Sequence, residues 1–139
     1  MSASDLSPAL PAKRLARALR NLAVGVPNPW DESTDYFSGF YAELPTPGPV
    51  DDATLRSVLK VSSRYRLDRS EGDLSWMIAE SDGDLALGYR MVSATLAANL
   101  VDVERVVARA PGVVRVRVWL VGRFDNRYLV GLRSTSTET

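Results

Sequence analysis

The side chains best suited to chemistry in this chain are three carboxylates, Asp31, Glu32 and Asp35, which stand within five residues of one another. They lie in a window, residues 21–54, that contains six acidic side chains and no lysine or arginine. Four aromatic residues follow at once within residues 36–41. Acidic side chains mixed with aromatic ones suit a surface that binds a basic partner. Proteins built to hold phosphates are the natural partners of this kind.

The residue types that are missing restrict the chemistry further. The chain contains no cysteine and no histidine. The absence of cysteine excludes disulfides, thiolate metal sites and thiol nucleophiles, and the absence of histidine removes the commonest general base and metal ligand. An enzyme would have to use carboxylates, hydroxyls or the two lysines, Lys13 and Lys60. We therefore expect a protein that is not an enzyme, has no cofactor and holds no metal of its own.

Length and composition predict a single globular domain over residues 1–139. The chain is 45% hydrophobic and 24% charged, and its zero net charge conceals basic flanks, residues 1–20 and 111–139, around the acidic window. No run of about 18 apolar residues is present, and the first residues lack an apolar stretch. We therefore expect no membrane span and no signal peptide, and a cytoplasmic location.

Apolar spacing and breaker residues predict three helices. The first covers about residues 11–24. The second is short, begins after a cap at Asp51 or Asp52, and ends near residue 60. The third covers about residues 84–100 and is apolar on most sides, so we expect it to be largely buried.

Strands are predicted over residues 37–44, 61–68, 113–121 and 128–133, and the state of residues 74–79 stays open. The strand 113–121 is the clearest, because its side chains alternate. Val114, Val116, Val118 and Leu120 point to one face, and Arg115, Arg117 and Trp119 point to the other.

The last two predicted strands form a C-terminal hairpin with its turn at residues 123–126. Residues 1–10 form a loose lead-in and residues 134–139 a polar tail. Helices and strands in this order predict an α+β domain. We expect a layered α/β/α sandwich whose largely antiparallel sheet ends in the hairpin. The exposed edge of that hairpin offers a route to a weak dimer, so the expected state is a monomer or a weak dimer.

A set of residues in the C-terminal third occurs in the order of a known family, with gap-free spacing from Gly122 to the last residue. They are Val118, Gly122, Leu129, Gly131, Glu138 and Thr139. Residues 32–36 are similar to that family's acidic motif, and Trp76 stands, like a family tryptophan, shortly before an acidic helix start. In these features, and in the order of elements over about residues 12–139, the chain resembles the nuclease A inhibitor family of bacteria.

The resemblance implies a small cytoplasmic α/β/α protein that binds and blocks a sugar-nonspecific DNA/RNA endonuclease of the ββα-metal type. It implies that a glutamate of the acidic motif enters the active-site region of the nuclease. It also implies that the C-terminal threonine approaches the catalytic metal and that the tryptophan packs in the interface. Carried onto this sequence, the partner-binding residues are Glu32, Ser33, Asp35, Trp76, Glu138 and Thr139.

The acidic motif departs from the family by one additional residue. Either Glu32 or Ser33 therefore takes the intruding position, and we favour Glu32 because the role needs a carboxylate. A glutamate matches the fork of an arginine. The terminal carboxylate and hydroxyl of Thr139 are hard oxygen donors of the kind that Mg²⁺ prefers.

Other interpretations remain open. The chain is also compatible with an orphan protein–protein interaction module of the same fold, with a different basic or metal-bearing partner. A small enzyme that uses Asp31, Glu32 and Asp35 is a third hypothesis. The acidic window is also typical of a solvated face, and Trp76 of a core tryptophan. We expect no nucleic-acid partner, because the aromatic residues 36–41 have acidic neighbours, whereas a base-stacking platform needs basic ones.

Overall fold

The fold is a five-stranded antiparallel sheet with helices on both faces, seen in a computed structural model that describes residues 9–24 and 36–137, except the side chains of residues 76 and 77. The strand order across the sheet is β1-β5-β4-β3-β2. Along the chain the elements are α1 Leu10–Leu22, β1 Ser38–Glu43, α2 Asp52–Leu59, β2 Arg66–Glu71, α3 Ser75–Glu80, α4 Gly83–Asn99, β3 Val101–Arg109, β4 Arg115–Phe124 and β5 Tyr128–Thr137. The predicted α+β class and C-terminal hairpin are confirmed.

Two buried clusters, one on each face of the sheet, make the domain a three-layer sandwich. On one face α1 and α4 cover side chains of β4 and β5 such as Leu120 and Leu132. On the other face α2 covers a smaller cluster that includes Trp119 and Val121 of β4. Leu120 and Trp119 therefore point to opposite faces, as the alternation predicted for β4 requires. Val114 lies outside this pattern, because it precedes the strand and is exposed.

The helix α1 begins with Pro11 in its first turn, where the missing N–H costs nothing. It buries Ala12, Ala16 and Leu19, and the small alanines bring its backbone close to β1. A Cβ atom built at Gly39 in β1 would lie 2.6 Å from the carbonyl oxygen of Ala16. The close approach of α1 to the sheet thus depends on a glycine in the edge strand.

The helix α2 has a defined cap at each end. Asp51 is its N-cap and accepts a hydrogen bond of 2.7 Å from the backbone N–H of Thr54. Lys60 ends the helix in the left-handed conformation with a φ of 57°. Of the two predicted caps, Asp51 is the one that the structure uses.

Two elements correct the sequence analysis. The strand predicted at residues 61–68 lies later, as β2, and β3 was not predicted at all. The pairing of β3 with β4 shifts register between Val101 and Glu104, and Asp102 has a positive φ of 53°. A bulge of this kind interrupts the alternation by which strands are recognised in sequence.

The long helix α4 is less buried than its composition predicts. Its buried residues, Ala86, Tyr89, Val92 and Leu96, form one stripe. Leu87 and Met91 lie on the opposite side and are 52% and 45% exposed. No helix in residues 9–24 and 36–137 is long and apolar enough to cross a membrane.

The C-terminal strand corrects the prediction of a polar tail over residues 134–139. β5 continues through Thr137, and its last four residues pair with β4 from Val118 back to Arg115. The hairpin turn contains Asp125 and Asn126, both with positive φ as the tight turn requires. β1 and β3 flank the hairpin, and β1 covers β5 along Tyr128–Arg133, so the terminal strands of the sheet are β1 and β2 and not the strands of the hairpin. The weak dimer stays a prediction.

Candidate functional site

Most residues predicted to bind a partner lie outside the described part of the chain. Glu32, Ser33, Asp35, Glu138 and Thr139 all belong to this group. For Trp76 the backbone lies in the short helix α3, whereas its side chain is outside the described atoms. The site therefore has to be built from the residues that adjoin these positions.

The described residues nearest to the acidic motif and to the C-terminus lie side by side. Tyr36 directly follows Asp35 in sequence, and its backbone carbonyl accepts a hydrogen bond of 3.0 Å from the hydroxyl of Ser134. Two residues further on, Ser38 pairs with Arg133. The start of β1 therefore lies beside the part of β5 that is far from the hairpin turn. The chain that follows the acidic motif and the chain that leads to the C-terminus are thus adjacent strands at one end of the sheet.

A groove of about 350 Å³ opens at this junction, on the face of the sheet that α2 covers only in part. It is lined by Tyr36, Ser38, Arg117, Trp119, Arg133, Ser134 and Thr135. Trp119 is 1% exposed, whereas Tyr36 is 56% exposed. The exposure of Tyr36 shows that this aromatic residue is available at the surface and is not packed into the core.

Arg117 is held in this groove by three contacts. Its guanidinium carbon lies 4.6 Å from the ring centre of Trp119, within the range of a cation–π interaction. Its terminal nitrogens donate to the carbonyl oxygens of Leu59, at 3.2 Å, and Lys60, at 3.4 Å. These carbonyls form the C-terminal end of α2, which favours a positive charge. Among residues 9–24 and 36–137, the guanidinium is held in place by these contacts and not by an acidic partner.

A second groove of about 330 Å³ adjoins the first and shares Arg117 and Arg133 with it. It runs between β1 and the C-terminal end of α2, where Lys60 is exposed. Arg133 contacts Ser38 only weakly, with 3.4 Å between Nε and the hydroxyl oxygen. The two grooves together form one surface, the arginine groove, whose charged lining is Arg117, Arg133 and Lys60.

The arginine groove carries positive charge that no described acid neutralises. Within residues 9–24 and 36–137, no carboxylate lies within ion-pair distance of these three cations. Near the other edge of the sheet, Glu104 and Asp52 are paired instead. Arg69 contacts Glu104 through Nε at 2.6 Å and Asp52 at 2.8 Å. The groove can therefore bind an anionic group with little competition from its described surroundings.

Paired carboxylates elsewhere serve structure. Hydrogen bonds from Arg66 and Arg109 hold the pKa of Asp68 below its ordinary value. Asp73 accepts from the backbone N–H of Ser75 at 2.8 Å and from its hydroxyl, which likewise lowers its pKa. In the part of the chain that the structure describes, no group of three or more Asp or Glu side chains is placed so that it could hold a metal ion.

The sequence analysis placed Arg115, Arg117 and Trp119 on one face of β4 but missed the groove that Arg117 and Trp119 help to form. Arg133 and Lys60 reach it from β5 and from the end of α2. The alternation of β5 carries a signal for Arg133, because this residue pairs with Trp119 and must share its face. Lys60 gives no such signal, since its position depends on the docking of α2.

Comparison with protein-family models gives no match to this chain, and comparison with curated proteins gives none either.

Proposed function

We propose that this chain is a cytoplasmic protein inhibitor that binds and blocks a metal-dependent, sugar-nonspecific DNA/RNA endonuclease. It is not an enzyme in this proposal. Its acidic motif around Glu32 and its C-terminal Thr139 occupy the active site of the nuclease together. The observation that carries the proposal is the hydrogen bond from Ser134 to the carbonyl of Tyr36, because it joins the two segments that must act as one.

Chain length supports convergence of the two segments. Glu32 is four residues before Tyr36, and Thr139 is two residues after Thr137. An extended chain spans at most about 3.6 Å per residue. Glu32 and Thr139 are therefore joined by only a few residues to adjacent strands at the same end of the sheet.

The chemistry of a nuclease active site supports the same pairing. Such a site holds a divalent cation and arginines that bind a phosphodiester, and an inhibitor must replace the phosphate oxygens. The carboxylate and hydroxyl of Thr139 suit the cation, and the carboxylate of Glu32 suits an arginine. The resemblance also gives Trp76 the role of a buried aromatic anchor, the kind of residue that dominates binding energy in many complexes. Its backbone lies in α3, which follows β2, the edge strand opposite β1.

The experiment uses the purified full chain and the sugar-nonspecific endonuclease of the same cell, with Mg²⁺ and supercoiled plasmid DNA as substrate. The full chain is expected to stop plasmid cleavage. Deletion of Glu138 and Thr139, and separately Glu32→Gln, should each weaken inhibition by about tenfold or more. The matched control is Glu71→Gln, which removes an exposed carboxylate from β2 at the opposite edge of the sheet.

Each outcome has a definite meaning. Loss of inhibition in the deletion and in Glu32→Gln, with Glu71→Gln unchanged, supports the proposal. Full inhibition after deletion of the last two residues excludes the C-terminal mechanism. No inhibition by the intact chain leaves the alternative, an interaction module of the same fold with a different basic or metal-bearing partner.

A further inference from the structure

The edge strand β1 has an open side. It pairs with β5 along Ser38–Glu43, and it is the terminal strand of the sheet. Among the described residues, the only backbone partner of β1 is β5. The N–H and C=O groups on its other side are therefore available to a further strand.

Basic side chains flank this edge on both faces of the sheet. On one face, a groove between α1 and β1 is lined by Lys13, Arg17 and Arg20. On the other face lies the arginine groove, which also contacts β1 from Gly39 to Ala42. None of these six cations pairs with a carboxylate in residues 9–24 and 36–137.

The other edge strand, β2, carries charges that oppose pairing with a further strand, whereas β1 is almost free of charge. Four of the six residues of β2 are charged, in the order Arg66, Asp68, Arg69 and Glu71, and charged side chains on an edge strand oppose unspecific pairing with a further strand. In β1 the single charged residue is Glu43 at the far end, where Arg127 lies 3.8 Å away. Tyr41, near the middle of β1, is 40% exposed and offers apolar contact.

We propose that β1 binds an acidic, extended peptide segment of a partner protein as a sixth strand of the sheet. Successive side chains of a strand point to opposite faces. Acidic residues at consecutive positions therefore meet Arg17 and its neighbours on one face and Arg133 and its neighbours on the other. The backbone of the peptide pairs with β1, which gives affinity, and the two basic flanks select an acidic sequence.

A peptide fits this surface better than a nucleic-acid strand for a geometric reason. The cations lie on two opposite faces with a backbone edge between them, and that edge presents alternating N–H donors and C=O acceptors. A polypeptide strand satisfies both the edge and the two flanks at once. A nucleic-acid backbone has no N–H and C=O ladder to pair with β1, and its phosphates would follow one flank only.

The test measures the fluorescence anisotropy of a labelled peptide of about eight residues, mostly glutamate with two valines for strand propensity. The full chain is expected to bind it. Arg133→Glu and Arg17→Glu, one from each flank, should each weaken binding by about tenfold. Arg90→Glu, an exposed site on α4, is the matched control and should bind like the unmodified chain. Circular dichroism checks that each variant is folded.

A second peptide of the same sequence, N-methylated at consecutive residues so that both of its edges lose N–H donors, separates strand addition from simple charge attraction. N-methylation removes N–H donors without changing charge, so we expect about tenfold weaker binding. Equal binding of the two peptides, absence of binding by the first, or tighter binding of oligothymidylate each overturns the proposal. Nuclease inhibition does not enter this assay, so the two proposals stand or fall separately.

Discussion

Ser134 in β5 donates its hydroxyl to the carbonyl of Tyr36, 3.0 Å away, and so ties the C-terminal strand to the residue that follows the acidic motif. Ser134→Ala removes this donor. Because the bond is exposed, we expect a loss of about 0.5–1 kcal/mol in the free energy of unfolding, measured by urea denaturation. Ser70→Ala, an exposed serine in β2, is the control and should change stability less. Equal losses in the two variants would contradict a specific role for the Ser134 bond.

Arg69 is the centre of an ion-pair network between α2, β2 and β3. It contacts Glu104 with two nitrogens, at 2.6 and 2.8 Å, and also contacts Asp52 and the carbonyl of Val50. Arg69→Lys keeps the charge but cannot form the bidentate fork, so we predict a loss of about 1–2 kcal/mol. Arg66→Lys, at a side chain that is 72% exposed, should cost less. Arg66 also contacts Asp68 with two nitrogens, so equal destabilisation of the two variants would show that the partial burial of the Arg69 contacts adds nothing to their value.

Gly39 sets how closely α1 approaches the sheet. A methyl group here would meet the backbone oxygen of Ala16 at 2.6 Å, and a backbone atom cannot move aside as a flexible side chain can. We therefore expect Gly39→Ala to destabilise the fold by about 1–3 kcal/mol, read from thermal and urea unfolding. Ser70→Ala again serves as the control for alanine in an edge strand. An unchanged midpoint for Gly39→Ala would mean that α1 shifts without cost.

Asp68 makes stability depend on acid pH. Hydrogen bonds from Arg66 and Arg109 hold its pKa below the ordinary 3.8, and Asp51 and Asp73 are lowered by hydrogen bonds of their own. A carboxyl group with a lower pKa in the folded state favours folding above the unfolded pKa. That contribution is lost as the pH falls through the folded pKa.

We therefore predict that the free energy of unfolding is level above about pH 5 and declines below about pH 4. Asp68→Asn should be less stable at neutral pH and should decline less steeply in acid. Urea denaturation at a series of pH values measures both effects. A slope identical to that of the unmodified chain would show that the paired state of Asp68 does not contribute.

Much of the fold could be predicted from sequence because its signals are local. The cap at Asp51, the alternation of β4 and the Asp125–Asn126 turn each depend on a few adjacent residues. β3 could not be predicted, because the bulge near Asp102 breaks its alternation. The end of β5 could not be predicted either. Residues 134–137 are polar, and their partners in β4 decide that they form a strand.

The candidate site, like the fold, could be predicted from the sequence only in part. The sequence alone determined the acidic window, the absence of histidine and cysteine, and the face of β4 that carries Arg117 and Trp119. Only the tertiary structure brought Tyr36 beside Ser134, and Arg133 and Lys60 beside Arg117. The physical reason is that residue type and spacing act over a few positions, whereas strand order and helix docking join residues about a hundred positions apart through burial and pairing.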